Sequence, residues 1–143
     1  MITDDRPIEG GCLCGGVRYL VRPPFRRANY CHCSRCRKHS GAAALAQGRV
    51  PRSAFTLLGG GELLVVFAEP GHMAKVFCSR CGSSLFGGTW PDGPEISIRL
   101  GTLDDAPGIR PGYHSYAAEV PPWDRLPDDG LPRYPQRPPR DVN

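Results

Sequence analysis

The sequence predicts a mainly β, single-domain fold stapled by zinc, with one or two short helical turns. Three observations predict it. Seven cysteines fall into three tight groups, CxC, CxCxxC and CxxC, separated by 16 and 41 residues. Short alternating apolar runs are cut by Gly or Pro at most of their ends. The 143 residues suit one domain, but 18 are Gly and 16 are Pro. Such a backbone loses much entropy on ordering and benefits from cross-links.

The elements follow in order. Residues 1–9 read as a flexible leader, 10–135 as the zinc domain and 136–143 as a flexible tail. Val17–Val21 alternates like a half-buried strand and Pro23-Pro24 stops it. Ala28-Asn29-Tyr30 leads into the second cysteine group, where Ser34 can cap a helical turn and Gly41 can end it. Residues 42–50 suit helix or strand, and Arg49-Val50-Pro51 favours a strand. Phe55–Leu58, Leu63–Phe67, His72–Phe77, Ser84–Phe86 and Glu95–Leu100 read as further strands. A short segment spans Tyr113–Val120, and the Pro- and Asp-rich remainder wraps the surface.

No run reaches the length of a membrane span. The N-terminal run is polar and acidic, without the basic and apolar regions of a secretory signal. The expected location is therefore the reducing cytoplasm, where disulfides do not persist. An odd cysteine count also argues against a full disulfide set. Free buried thiols would be scattered, and these cluster.

Seven thiolates exceed one tetrahedral ion, so the economical partition is four plus three. By spacing, Cys33/Cys36 with Cys78/Cys81 makes a zinc ribbon and leaves Cys12, Cys14 and Cys31. Alternatively Cys12, Cys14, Cys78 and Cys81 close one site, and Cys31, Cys33 and Cys36 hold a second ion within six residues. Locality favours the second scheme, because a compact triplet costs little loop-closure entropy. Spacing alone leaves both open.

The runs Gly11–Tyr19, Cys31–Lys38 and Phe77–Gly82, with the ending Trp123…Asp129-Gly130-Leu131-Pro132-Arg133-Tyr134, resemble the glutathione-dependent formaldehyde-activating (centromere-protein-V domain) family. The resemblance covers about residues 8–135. It implies a β-tent zinc fold with two zinc ions per chain and carbon–sulfur lyase activity. It also implies a structural zinc on Cys12, Cys14, Cys78 and Cys81, a catalytic zinc on Cys31, Cys33 and Cys36, and glutathione and formaldehyde as reactants.

The chemistry of the donors agrees with that implication. Three thiolates leave a divalent ion at net −1, a poor setting for making hydroxide. A soft ligand suits it better, and a small thiol that adds to a small aldehyde is the natural partner. The trio is expected to be the more solvent-exposed and oxidisable group. His32, Arg35 and Lys38 are candidate substrate contacts, the cations for carboxylates of a peptide-like thiol. Against this, His32 can be a solvent-facing spacer, and Arg35, Arg37 and Lys38 a solvated basic face. His39 is weighed as a fourth ligand, and His72 and His114 as surface residues. Trp90, Tyr113, Tyr116 and Trp123 can line a pocket, though core packing is the commoner role.

The formal charge of +4 raises a second function, a non-catalytic zinc-stapled module for nucleic acid or a protein partner. Seven thiolates and two zinc ions lower that charge to about +1, and no helix is rich in Lys and Arg. A nucleic-acid partner is therefore not expected.

Overall fold

The computed structural model describes residues 6–139. The fold is mainly β, as expected, with one α-helix among the described residues. The elements are β1 (Ile8–Gly11), β2 (Arg18–Val21), β3 (Arg27–Cys31), α1 (Ser34–Ser40), β4 (Leu45–Pro51), β5 (Phe55–Gly59), β6 (Leu64–Phe67), β7 (Ala74–Cys78), β8 (Ser84–Gly88), β9 (Glu95–Arg99) and β10 (His114–Ser115). A small sheet has the order β1-β2-β5, and a larger one β10-β3-β4-β9-β8-β7-β6. Neighbours are antiparallel except β10, which runs parallel to β3.

Alternation sets the faces. On β2, Tyr19 and Val21 are buried while Arg18 and Leu20 are not. They meet Val76 of β7, Leu85 and Phe86 of β8, and Ile96 and Ile98 of β9 in one core. Tyr19, Phe55, Phe86 and Trp90 form its aromatic centre, with Phe86 and Trp90 stacked at 4.9 Å. Trp90 is thus a packing residue, and Trp123, 70% exposed, lies outside the core.

Three local readings change. β1 begins at Ile8, inside the stretch read as leader, because its backbone pairs with Leu20 and Val21. Residues 1–5 of that leader and 140–143 of the tail lie outside the described residues. Residues 27–31 form a strand held between β4 and β10. The helix cap is Cys33, not Ser34: its sulfur accepts the Cys36 N–H at 3.3 Å. Gly41 ends the helix as expected, at φ 72°.

The Pro-rich C-terminal segment is bound to the large sheet's edge. Backbone N–H groups of Tyr116, Ala117 and Ala118 donate to Gln136, Tyr134 and Pro135, and Tyr134 N–H donates to His114.

Candidate functional site

The fold resolves the cysteine partition. Cys12 and Cys14 follow β1, Cys78 ends β7, and Cys81 lies in the turn before β8. Their four sulfurs all lie within 4.8 Å of one another. Cys12 and Cys14 are 3.5 Å apart, and Cys14 and Cys78 3.9 Å. A tetrahedral site with Zn–S bonds of about 2.3 Å has sulfurs about 3.8 Å apart, so the quartet fits such an ion. The surrounding groups favour thiolates. Val17 N–H donates to Cys12 at 3.2 Å. Bonds from the Ser83 side chain and backbone draw the Cys81 thiol down to about 5. Gly82, at φ 78°, lets the Cys78–Cys81 turn close, with its N–H on Cys78 O at 2.8 Å.

The second group is Cys31, Cys33 and Cys36, again with sulfurs within 4.8 Å. Cys31 ends β3, Cys33 caps α1, and Cys36 sits in the first turn of α1. One strand–helix junction therefore supplies all three sulfurs. Among the described residues no other Cys, His, Asp or Glu joins the trio. A trio of thiolates suits a tetrahedral ion with one position left for an outside ligand. The ribbon pairing of Cys33/Cys36 with Cys78/Cys81 does not occur. Cys31 and Cys36 are buried, whereas Cys14 of the quartet is exposed, which reverses the expected exposure.

Within the trio the charge settles on Cys36. Bonds from the Cys31 and Cys33 thiols, and then the Lys75 ammonium, hold its thiol far below the ordinary value. Cys31 is pushed up correspondingly, first by its bonds to Cys33 and Cys36 and then by burial. Lys75 of β7 is buried and donates to Cys36 Sγ at 3.1 Å. Arg99 of β9 is also buried, and desolvation lowers it to about 10. The sequence reading missed both. A lone cation in a strand pattern carries no mark of the sulfur it meets 39 residues away.

Beside the trio opens a cleft of about 290 Å³ lined by Arg35, Lys38, His39, Phe67 and Lys75. Arg35 and Lys38, the two cations that the sequence offers as substrate contacts, both line it. Arg35 also pairs with Glu69 at 2.6 Å. His39 is not part of the trio; its Nδ1 bonds Ser84 Oγ at 3.0 Å.

His32 does not line this cleft and is no solvent-facing spacer. It is 3% exposed, with Nε2 2.8 Å from His114 Nδ1. His114 Nε2 in turn lies 2.8 Å from Asp129. With the Asp129 carboxylate accepting from His114 Nε2–H, His114 Nδ1 accepts from His32 Nε2–H. His114, read as a surface residue, is therefore fully buried, and the chain ties β3 to the C-terminal segment. His32 Nδ1 is buried without a hydrogen-bond partner among the described residues.

A four-sulfur cluster and a three-sulfur cluster on one mainly β scaffold define a cysteine-rich domain with two groups that could each hold a metal ion. The chain belongs to the glutathione-dependent formaldehyde-activating enzyme family, whose sequence model matches residues 7–119. Curated relatives carry that name provisionally. A Halomonas elongata protein is 34% identical over 95 residues, covering 59% of this chain and 59% of the relative. A Sordaria macrospora protein is 37% identical over 87 residues, covering 57% of this chain and 37% of the relative. The matched part is thus well short of those relatives' full length. The fold is similar to the crystal structure of a Rhodobacter sphaeroides protein, with TM-score 0.55 and 23% identity over 88% of this chain and 98% of that one. No helix among the described residues is long and apolar enough to cross a membrane.

Proposed function

We propose that the chain is a zinc-dependent carbon–sulfur lyase-type enzyme of the reducing cytoplasm that adds a small, glutathione-like thiol reversibly to a small aldehyde. The observation that carries this reading is the three-sulfur cluster, one ligand short of a tetrahedron and bordered by a cationic cleft. Cys12, Cys14, Cys78 and Cys81 would hold a structural zinc, and Cys31, Cys33 and Cys36 a catalytic one. When bound at the trio, zinc would supply a soft Lewis acid that favours the thiolate form of a substrate.

The chain's own residues do the rest. Arg35 and Lys38 hold the carboxylates of a peptide-like thiol at the cleft. Phe67 gives that cleft an apolar wall. In the addition, substrate sulfur forms a bond to the aldehyde carbon and the carbonyl π pair moves to oxygen. The thiol proton ends on that oxygen, giving a hydroxyalkyl thioether; the reverse step breaks the C–S bond. Through the Asp129–His114–His32 chain, His32 keeps β3, and with it Cys31, in place.

Metal analysis and NMR of thiol–formaldehyde mixtures test the reading. The wild-type chain is expected to hold two zinc ions and to accelerate adduct formation with glutathione. Cys36→Ser should keep one ion and lose the acceleration. A Cys36→Ser protein with two zinc ions and full adduct formation would contradict it.

A further inference from the structure

Lys75 has an unusual set of neighbours. It is 7% exposed, and among the described residues no carboxylate lies within ion-pair distance of it. A buried charge persists only where it is paired. The partner here is sulfur, Cys36 Sγ at 3.1 Å. An ammonium has three N–H donors, and among the described residues Cys36 is its one hydrogen-bond acceptor. The same ammonium lines the cleft with Arg35, Lys38 and His39. Lys75 therefore touches both the trio and the cleft. The other groups bordering that space are cationic, apolar or imidazole; none is a carboxylate.

Charge makes this position consequential. Three thiolates and a divalent ion sum to −1, and an anionic sulfur ligand takes the site to −2. In a partly dry site that second increment is costly unless a cation offsets it. Arg99 lies near enough for its charge to be felt by Cys36, but its Nη1 is engaged by Gln47 and Ser97.

We propose that Lys75 is a positioning residue that admits an anionic fourth ligand to the trio's metal, holding Cys36 while offsetting the charge the incoming sulfur brings. It rests on the reading that the trio binds zinc. Arg35 and Lys38 have a separate task, since they meet the remote anion of the ligand and not its sulfur.

Cobalt-loaded full-length protein separates these roles. 2-Mercaptoethanol and 3-mercaptopropionate are titrated against the sulfur-to-cobalt absorption bands. Lys75→Met is expected to weaken both thiols roughly 10–100-fold, the range for losing an outer partner of a metal ligand, while Lys75→Arg retains most of the affinity. Arg35→Ala should weaken 3-mercaptopropionate alone. The quartet's own bands report that the variants are folded, and Lys75→Gln replaces Lys75→Met if they are lost. Undiminished thiol binding in a cobalt-loaded, uncharged variant overturns the proposal while leaving the zinc reading intact. Loss of trio cobalt from both uncharged variants also overturns it, because Lys75 would then support the metal itself. A wild-type trio that takes no cobalt overturns both readings.

Discussion

The two sulfur clusters share a ligand type and differ in what they join. The quartet links Cys12 to Cys81 and so pins the β1–β2 loop of the small sheet to the β7–β8 turn of the large one. The trio is contained between Cys31 and Cys36 at a single strand–helix junction. Loop-closure entropy grows with the chain enclosed, so an ion at the quartet constrains much of the molecule and an ion at the trio almost nothing. Their surroundings diverge in the same sense. The quartet's sulfurs bond Val17 N–H and Ser83, which are neutral. The trio faces a buried cation and a cleft. On the proposed reading, one cluster would hold the fold and the other a ligand.

The largest expected effect strikes the quartet. Cys78→Ser should lose metal and fold together, because metal-coupled folding at such a site is worth on the order of 10 kcal/mol and whole domains have only about 5–15. Circular dichroism against temperature checks it; a wild-type melt would erase the contrast. Cys36→Ser is the opposite case. It should abolish metal at the trio yet lower Tm by only a few degrees, about 2–4 °C for each kcal/mol in a chain near this size. A collapse equal to that of Cys78→Ser would mean the trio is structural too.

A smaller effect is expected at the staple behind the trio. His114→Ala removes one buried and one partly buried hydrogen bond and should cost about 1–3 kcal/mol, with quartet metal retained. The His114 bond holds the Asp129 carboxyl below its ordinary range. Its contribution is therefore complete above the unfolded carboxylate value, and is lost as pH falls through the lower folded value. Acid denaturation of Asp129→Asn should lack that component; an acid limb identical to wild type would remove the staple from the account.

How legible this was in the sequence varied with range. CxC and CxxC put two sulfurs on one face or one turn, so local spacing nominates ligands directly. The alternating runs at Val17–Val21 and Glu95–Leu100 likewise declare their strands. Choosing between partitions needed more, because both satisfy the spacing and only the sheets bring Cys12 beside Cys78. β1 escaped notice because Ile8-Glu9-Gly10-Gly11 has little β-propensity of its own and is a strand through its pairing with β2. His114 was misread because its partners are distant in the chain, His32 82 positions earlier and Asp129 15 positions on. Cys33 takes the cap for which Ser34 is chemically suited, since its sulfur accepts the Cys36 amide.

The family match stops at Glu119, but the physical unit does not. Asp129 and the backbone of Pro132 to Gln136 still grip β10 and the residues after it, and β10 pairs with the strand that delivers Cys31. Trimming a recombinant chain where the family match ends would keep every sulfur and discard the brace behind three of them. The truncated protein would carry the complete ligand set and a loosened reactive half.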